Sequence, residues 1–309
     1  MKEKKQLQLS RLLSDNDLKT VFNEVERVYW LNYTPSSFRL IKRCYKEISR
    51  LFKGGFAGYK ACNTEYHDLD HTLDAMLAST RLLDGYNQQN QPLSEKIGRN
   101  CLIATLFHDT GYIQEDSDNE GTGAKYTTHH VDRSIDFLEK HHSLFTIAEE
   151  DIGSITNIIR CTGLSVELQS IRFKSDEEAV AGKILGASDL LGQMAQREYL
   201  EKLLFLYYEF REANIPGFNT EFDILRKTID FYDIVKKRFV NNYDSIHENA
   251  RIHFKKRYDT DANLYMQAIE KNIAYLQKII EDETTNFRNK LKRGDWVSLE
   301  KAKAQHQIQ

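Results

Sequence analysis

The chain has little of what would mark a disulfide scaffold, a membrane protein or a nucleic-acid binder. Four cysteines stand among 309 residues, Cys44, Cys62, Cys101 and Cys161. None forms a C-x-x-C pair and three fall inside helical apolar patterns. That argues against a disulfide framework or a thiolate zinc site, and for free thiols in a reducing compartment. No apolar run reaches the length of a membrane span. The charged start, Met1-Lys2-Glu3-Lys4-Lys5, leads into no apolar stretch of the kind a secretory signal needs. With 43 basic and 46 acidic residues the net charge is -3, so no global basic bias favours nucleic acid or an anionic membrane. The reading is a cytoplasmic protein with no nucleic-acid or membrane partner. Only 3 prolines and 15 glycines interrupt the chain, which favours long elements. No strand pair and no internal repeat can be read.

What is there is helical periodicity, and an all-α bundle is expected. The cluster Ser14, Asp15, Asn16 and Asp17 reads as the start of a helix to about Tyr33, with Val21, Phe22, Val25 and Val28 at helix spacing. Pro35 and Ser36 break the chain. A second helix carries Phe38, Ile41, Cys44, Ile48 and Phe52 and stops at Gly54-Gly55. A third is expected from about Glu65 to Asp84, with Ala75 and Ala78 allowing close approach of another backbone. Ser94 should cap a fourth, which ends in the apolar run Cys101 to Phe107 and is therefore central. Residues Gln114 to Thr128 read as a flexible surface loop. Helices follow over His129–His141, Glu149–Cys161, Asp176–Ala195 and Ala262–Asp282, with aromatic helical stretches between Arg197 and Tyr232. Residues 1–55 are expected to pack as N-terminal helices on a core of 56–200. Residues 201–309 read as a helical extension of the same compact unit, with a tail that frays beyond Asn289.

Three short motifs place histidine and aspartate in segments that otherwise read as buried: Tyr66-His67-Asp68-Leu69-Asp70-His71, His108-Asp109, and Asp189 within Ala187-Ser188-Asp189-Leu190. Burying such groups without partners is costly, and a divalent cation is their simplest common partner. His67 and His71 stand one helical turn apart. His71, His108, Asp109 and Asp189 would supply two imidazoles and two carboxylates, a set suited to Mn, Fe, Zn or Mg with open water positions. Taken singly, each histidine is more often a packed or surface residue, so only the combination carries weight.

The stretch from Tyr66 to His71, then Ala104 to Tyr112, then Ser188-Asp189-Leu190-Leu191 resembles the HD-domain superfamily of metal-dependent phosphohydrolases. The pair of histidines in the first motif, with His129-His130, resembles the class I cyclic-nucleotide phosphodiesterase-like branch. The resemblance covers about residues 60 to 200 and implies an HD-domain helical bundle with a C-terminal helical extension. It makes His71, His108, Asp109 and Asp189 ligands of one or two divalent ions, with Asp109 bridging if two bind. His67 would protonate the leaving oxygen, and His130 would sit near a second metal's water or the phosphate. His129 shares that task or is a solvated helix start. The chain departs from that branch in having no histidine within Thr110-Gly111-Tyr112-Ile113-Gln114. Gln193 lies too close to Asp189 to be that branch's purine-reading glutamine. Lys125, Arg133 and Arg160 are the candidate phosphate contacts, each also readable as a solvated charge.

The expected activity is hydrolysis of a small phosphoester, in first place a phosphodiester of nucleotide type, by a metal-bound hydroxide with histidine acid assistance. Two other readings use the same residues: a non-catalytic nucleotide-sensing or partner-binding module, and a di-iron oxygenase. A homodimer is left open. Tyr207, Tyr208, Phe210, Phe231 and Tyr232 read as core or as dimer surface, core being the default.

Overall fold

In a computed structural model, residues 7–13, 17–291, 293 and 300 are described. Ser14, Asp15 and Asn16, and the tail beyond 300, lie outside the described residues. The described residues form eleven α-helices and no strand beyond one isolated bridge, Tyr59 with Glu115. The expected all-α bundle is what the chain forms. In order the helices are α1 (Leu18–Tyr29), α2 (Pro35–Phe52), α3 (Leu69–Gln89), α4 (Glu95–Phe107), α5 (His130–His141), α6 (Glu149–Arg160), α7 (Asp176–Met194), α8 (Tyr199–Glu212), α9 (Glu221–Asn241), α10 (Asn249–Tyr258) and α11 (Leu264–Glu281). None of the described helices is long and apolar enough to cross a membrane.

Side-chain caps set several of the starts. Asp17 accepts from the Lys19 and Thr20 amides and begins α1. Thr220 and Asp223 close a reciprocal capping box on α9. Pro35 does not break the chain but opens α2 as its first residue, where its missing N–H costs no bond. Ser94 stands at the cap position of α4 without capping it; its hydroxyl donates to Glu177 at 2.5 Å.

The centre of the bundle is α3, buried along most of its length and packed by α7, α10, α1 and α4. It starts later than expected. Asp68 accepts from the His71 amide at 2.7 Å and ends the preceding loop there. His67 therefore precedes the helix rather than lying one turn below His71. The close approach anticipated from Ala75 is real. A Cβ at Gly192 of α7 would stand 2.9 Å from the Ala75 amide nitrogen, so these two helices meet backbone to backbone. The other end of α3 is tied to α10 by Asp84, which is fully buried. It accepts from His253 Nδ1 at 2.6 Å, from Arg257 at 2.6 and 3.0 Å, and from Asn32 at 2.9 Å.

Residues 114–128 are not loose. Gln114 is buried and bonded to Asn63, Asp118 and the Glu120 carbonyl. The Thr122 hydroxyl reaches Glu212 of α8 at 2.7 Å, and the Gly123 amide reaches Asn63 at 2.9 Å. Polar composition suggested a flexible loop; contacts from distant segments hold it against the bundle. All four cysteines are free. Burial pushes the Cys44, Cys101 and Cys161 thiols up to about 12, as packed, unreactive thiols should be.

Candidate metal centre

Three central helices deliver the ligand candidates to one point. His71 comes from the first turn of α3, His108 and Asp109 from the C-terminal end of α4, and Asp189 from the middle of α7. His71 Nε2 lies 3.2 Å from Asp109 Oδ2 and 3.1 Å from Asp189 Oδ1. His108 Nε2 lies 3.2 and 3.6 Å from the same two oxygens. Donors held about 2.1 Å from a shared cation are about 3 Å apart at adjacent corners, so the spacing suits a common ion. His71, His108 and Asp109 are buried and their donor atoms all lie within 4.8 Å of one another.

Two observations within the cluster point to a cation. His108 Nε2 and Asp109 Oδ2 are buried with no hydrogen-bond partner, a costly state for polar atoms. The tautomer of His108 is also set. Its Nδ1 faces the Thr105 carbonyl at 2.7 Å, so Nδ1 carries a proton and a neutral ring presents a bare Nε2 to the carboxylates. The electrostatics agree. Burial disfavours a charged His71 ring, yet Asp109 and Asp189 outweigh it and raise the ring to about 9. His108 is also raised well above its ordinary value, against burial, by Asp109 and Asp189. Burial pushes the Asp109 and Asp189 carboxyls up, but the two imidazoles hold both well below the usual range. Two buried carboxylates thus demand positive charge, and without an ion only protons on the histidines supply it.

His130 stands beside the cluster. Its Nδ1 faces the Thr127 carbonyl at 2.7 Å, and its Nε2 lies 3.8 Å from Asp109 Oδ1. Burial lowers its pKa, and Asp109 offsets this only in part, so the neutral ring, with its proton on Nδ1, leaves a bare Nε2 near the Asp109 oxygen that is not the one close to His71. A Cβ on Gly111 would come within 2.0 Å of the His130 carbonyl, so glycine is what lets α5 approach the His-Asp turn. His129 is exposed at the start of α5, with Nδ1 3.2 Å from the Thr128 hydroxyl.

His67 reaches the site from the loop, its ring 5.8 Å from that of His71. Its Nδ1 lies 2.6 Å from Glu209 Oε2, a buried carboxylate of α8 that also accepts from the Tyr66 amide at 2.7 Å. Its Nε2 is 3.4 Å from the Tyr112 hydroxyl. Tyr112 stacks on both outer histidines, 4.3 Å from His67 and 4.7 Å from His130, whose own rings are 6.2 Å apart. Glu209 was missed in the sequence. The signal was available, since it is a lone acid within the buried aromatic run Leu203 to Phe210. Gln193 is a structural partner: its amide donates to Asp189 Oδ1 at 3.3 Å and accepts from Tyr66 at 2.5 Å.

The centre opens into a cavity of about 1050 Å³, whose lining includes Asp109, Asp189, His67 and His130. Of the three basic residues expected there, only Arg160 lines it. Lys125 is taken by Asp118 and the Glu120 carbonyl. Arg133 donates to the Gly111 and Ile113 carbonyls and stacks 3.6 Å over Tyr126. Both hold the 114–128 segment instead. Arg172 and Lys227, not anticipated, line the outer cavity.

The protein-family model described as Npun_R2479-like matches residues 116–270 of the chain. That span holds His130, Asp189 and Glu209 and begins after Asp109. No curated protein and no solved structure matches.

Proposed function

The chain belongs to the Npun_R2479-like family, and from the centre it carries we propose a metal-dependent phosphohydrolase of the HD-domain type that cleaves a phosphodiester. The observation that carries this reading is the convergence of two imidazoles and two carboxylates, with orphaned buried donors, beside a histidine oriented by a buried glutamate. His71, His108, Asp109 and Asp189 would hold the ion, and of these Asp109 and Asp189 also line the cavity. When bound, such an ion polarises a phosphoryl oxygen and lowers the pKa of water.

The remaining chemistry belongs to the side chains. Glu209 holds His67 by Nδ1, which leaves Nε2 facing the cavity beside Tyr112. A proton on that Nε2 passes to the leaving oxygen as the P–O bond breaks. His130 Nε2, a hydrogen-bond acceptor, orients water next to Asp109 or takes its proton. Tyr112 stacks on both rings, whose centroids lie 6.2 Å apart, so the two histidines face the same end of the cavity.

The test is hydrolysis of bis(4-nitrophenyl) phosphate by metal-loaded protein. His71→Ala and Asp109→Ala should each lose metal and activity. His67→Ala should keep metal while kcat falls by about 10²–10⁴-fold. Retention of full metal content and full activity by either ligand variant would overturn the assignment.

A further inference from the structure

The phosphoryl centre uses only one end of the cavity. At about 1050 Å³ the space is at the upper end of small-molecule sites, which run to roughly 1,000 Å³, so most of it must receive the organic part of the ligand. One part of the lining is apolar: Leu203, Leu206 and Phe210 of α8, Phe218 of the connecting loop, and Ile224 and Phe231 of α9. Phe210, Phe218 and Phe231 are only half-buried. Phe210 and Phe218 meet edge to face at 5.0 Å, which fixes the wall's shape.

Several polar groups along the cavity have their protons committed within the protein. Gln193 uses its amide on Asp189 and Tyr66. Asn157 donates to the Arg172 carbonyl and to Glu178. The hydroxyls of Thr127, Thr162 and Thr228 donate to backbone carbonyls of Ala124, Ile159 and Ile224. Recognition of a nucleobase edge or a ribose needs donors and acceptors at fixed positions, and these amide and hydroxyl donors are turned to the protein, beside a wall that offers apolar contact area. The charged residues Arg160, Arg172 and Lys227 line the cavity from positions that keep solvent contact.

We infer that the ligand of this cavity is an amphiphilic phosphoester, a phosphoryl group bearing an alkyl or aryl body, and not a nucleotide. The inference rests on the phosphohydrolase reading for the placement of the phosphoryl end; the apolar wall itself does not depend on it.

The test uses metal-loaded wild-type protein and a series of alkyl 4-nitrophenyl phosphodiesters, methyl to octyl, followed by release of 4-nitrophenolate. From the transfer of one methylene out of water, kcat/KM should rise about fourfold per added carbon. The octyl ester should exceed thymidine 5′-(4-nitrophenyl) phosphate at least about tenfold. Phe231→Ala should cut the octyl-to-methyl ratio about tenfold, and the wild-type series tests the inference without any variant. A flat series, or preference for the thymidine ester, overturns the inference while hydrolysis itself still upholds the phosphohydrolase reading. If no ester is turned over, calorimetric titration with ethyl and hexyl phosphate separates the two. Tighter binding of hexyl phosphate upholds the amphiphile assignment and defeats the hydrolase reading; equal binding defeats the amphiphile assignment.

Discussion

Replacing Asp84 by Asn tests how the helix that carries His71 is anchored. Asp84 is fully buried and gathers Asn32, His253 and Arg257. Burial pushes its carboxyl up, but the His253, Arg257 and Asn32 bonds outweigh this and hold it at about 2 against an ordinary 3.8. A folded pKa below the unfolded one contributes stability that is present above the unfolded value and is lost as pH falls through the folded one. That lowering corresponds to about 2 kcal/mol at pH 7, of which roughly half remains at pH 3. Asp84→Asn should therefore lower unfolding free energy by about 2 kcal/mol at neutral pH, and by more if its amide NH₂ faces the three donors. Urea melts of both proteins from pH 7 to pH 3 measure the gap. Asp84 lies thirteen residues along α3 from His71, about 20 Å of helix, so metal content of the folded variant should not change. A gap under about 1 kcal/mol, or one that does not shrink with acid, would refute the reasoning.

Three other outcomes follow from the same geometry. Glu209→Gln should leave metal content intact and lower kcat about 100-fold, because His67 loses the carboxylate that orients it; a steady-state assay beside metal analysis checks this. Gly111→Ala would place a Cβ 2.0 Å from the His130 carbonyl, so it should destabilise by roughly 1–3 kcal/mol or more and raise KM by displacing His130, measured by thermal melts and kinetics. Burial opposes protonation of His71, but Asp109 and Asp189 raise it to about 9. Its contribution in metal-free protein is full below pH 6.5 and lost as pH rises through 9, so chelated protein should lose melting temperature over that window while metal-loaded protein holds it.

Helix content was readable because apolar residues recur at helix spacing along most of the chain and so few prolines and glycines interrupt it. The residues the structure gathers at the centre could be named as a set, since His and Asp inside apolar helices have few reasons to be there. What escaped was long-range. Asp68 competes with the helix pattern around it and delays α3, so His67 arrives from a loop. Residues 114–128 look loose by composition, yet they are held by Asn63 and Glu212. Lys125 and Arg133 were candidates for phosphate because they flank His130 in the sequence; Asp118, Tyr126 and the Gly111 carbonyl claim them. Glu209 finds His67 across 142 positions, a distance over which no local pattern reports. Tyr207, Tyr208 and Tyr232 are core as expected, whereas Phe210 and Phe231 turn toward the cavity.

The central claim is that His71, His108, Asp109 and Asp189 hold a divalent cation. Elemental analysis of the purified protein, with anomalous X-ray scattering from its crystals, tests it directly. The account predicts one or two ions per chain, with density between His71, His108, Asp109 and Asp189, and loss of that density in folded Asp109→Asn. Folded wild-type protein that binds none of Mn²⁺, Fe²⁺, Zn²⁺ or Mg²⁺ at these side chains, or an Asp109→Asn variant that binds as the wild type does, would contradict it.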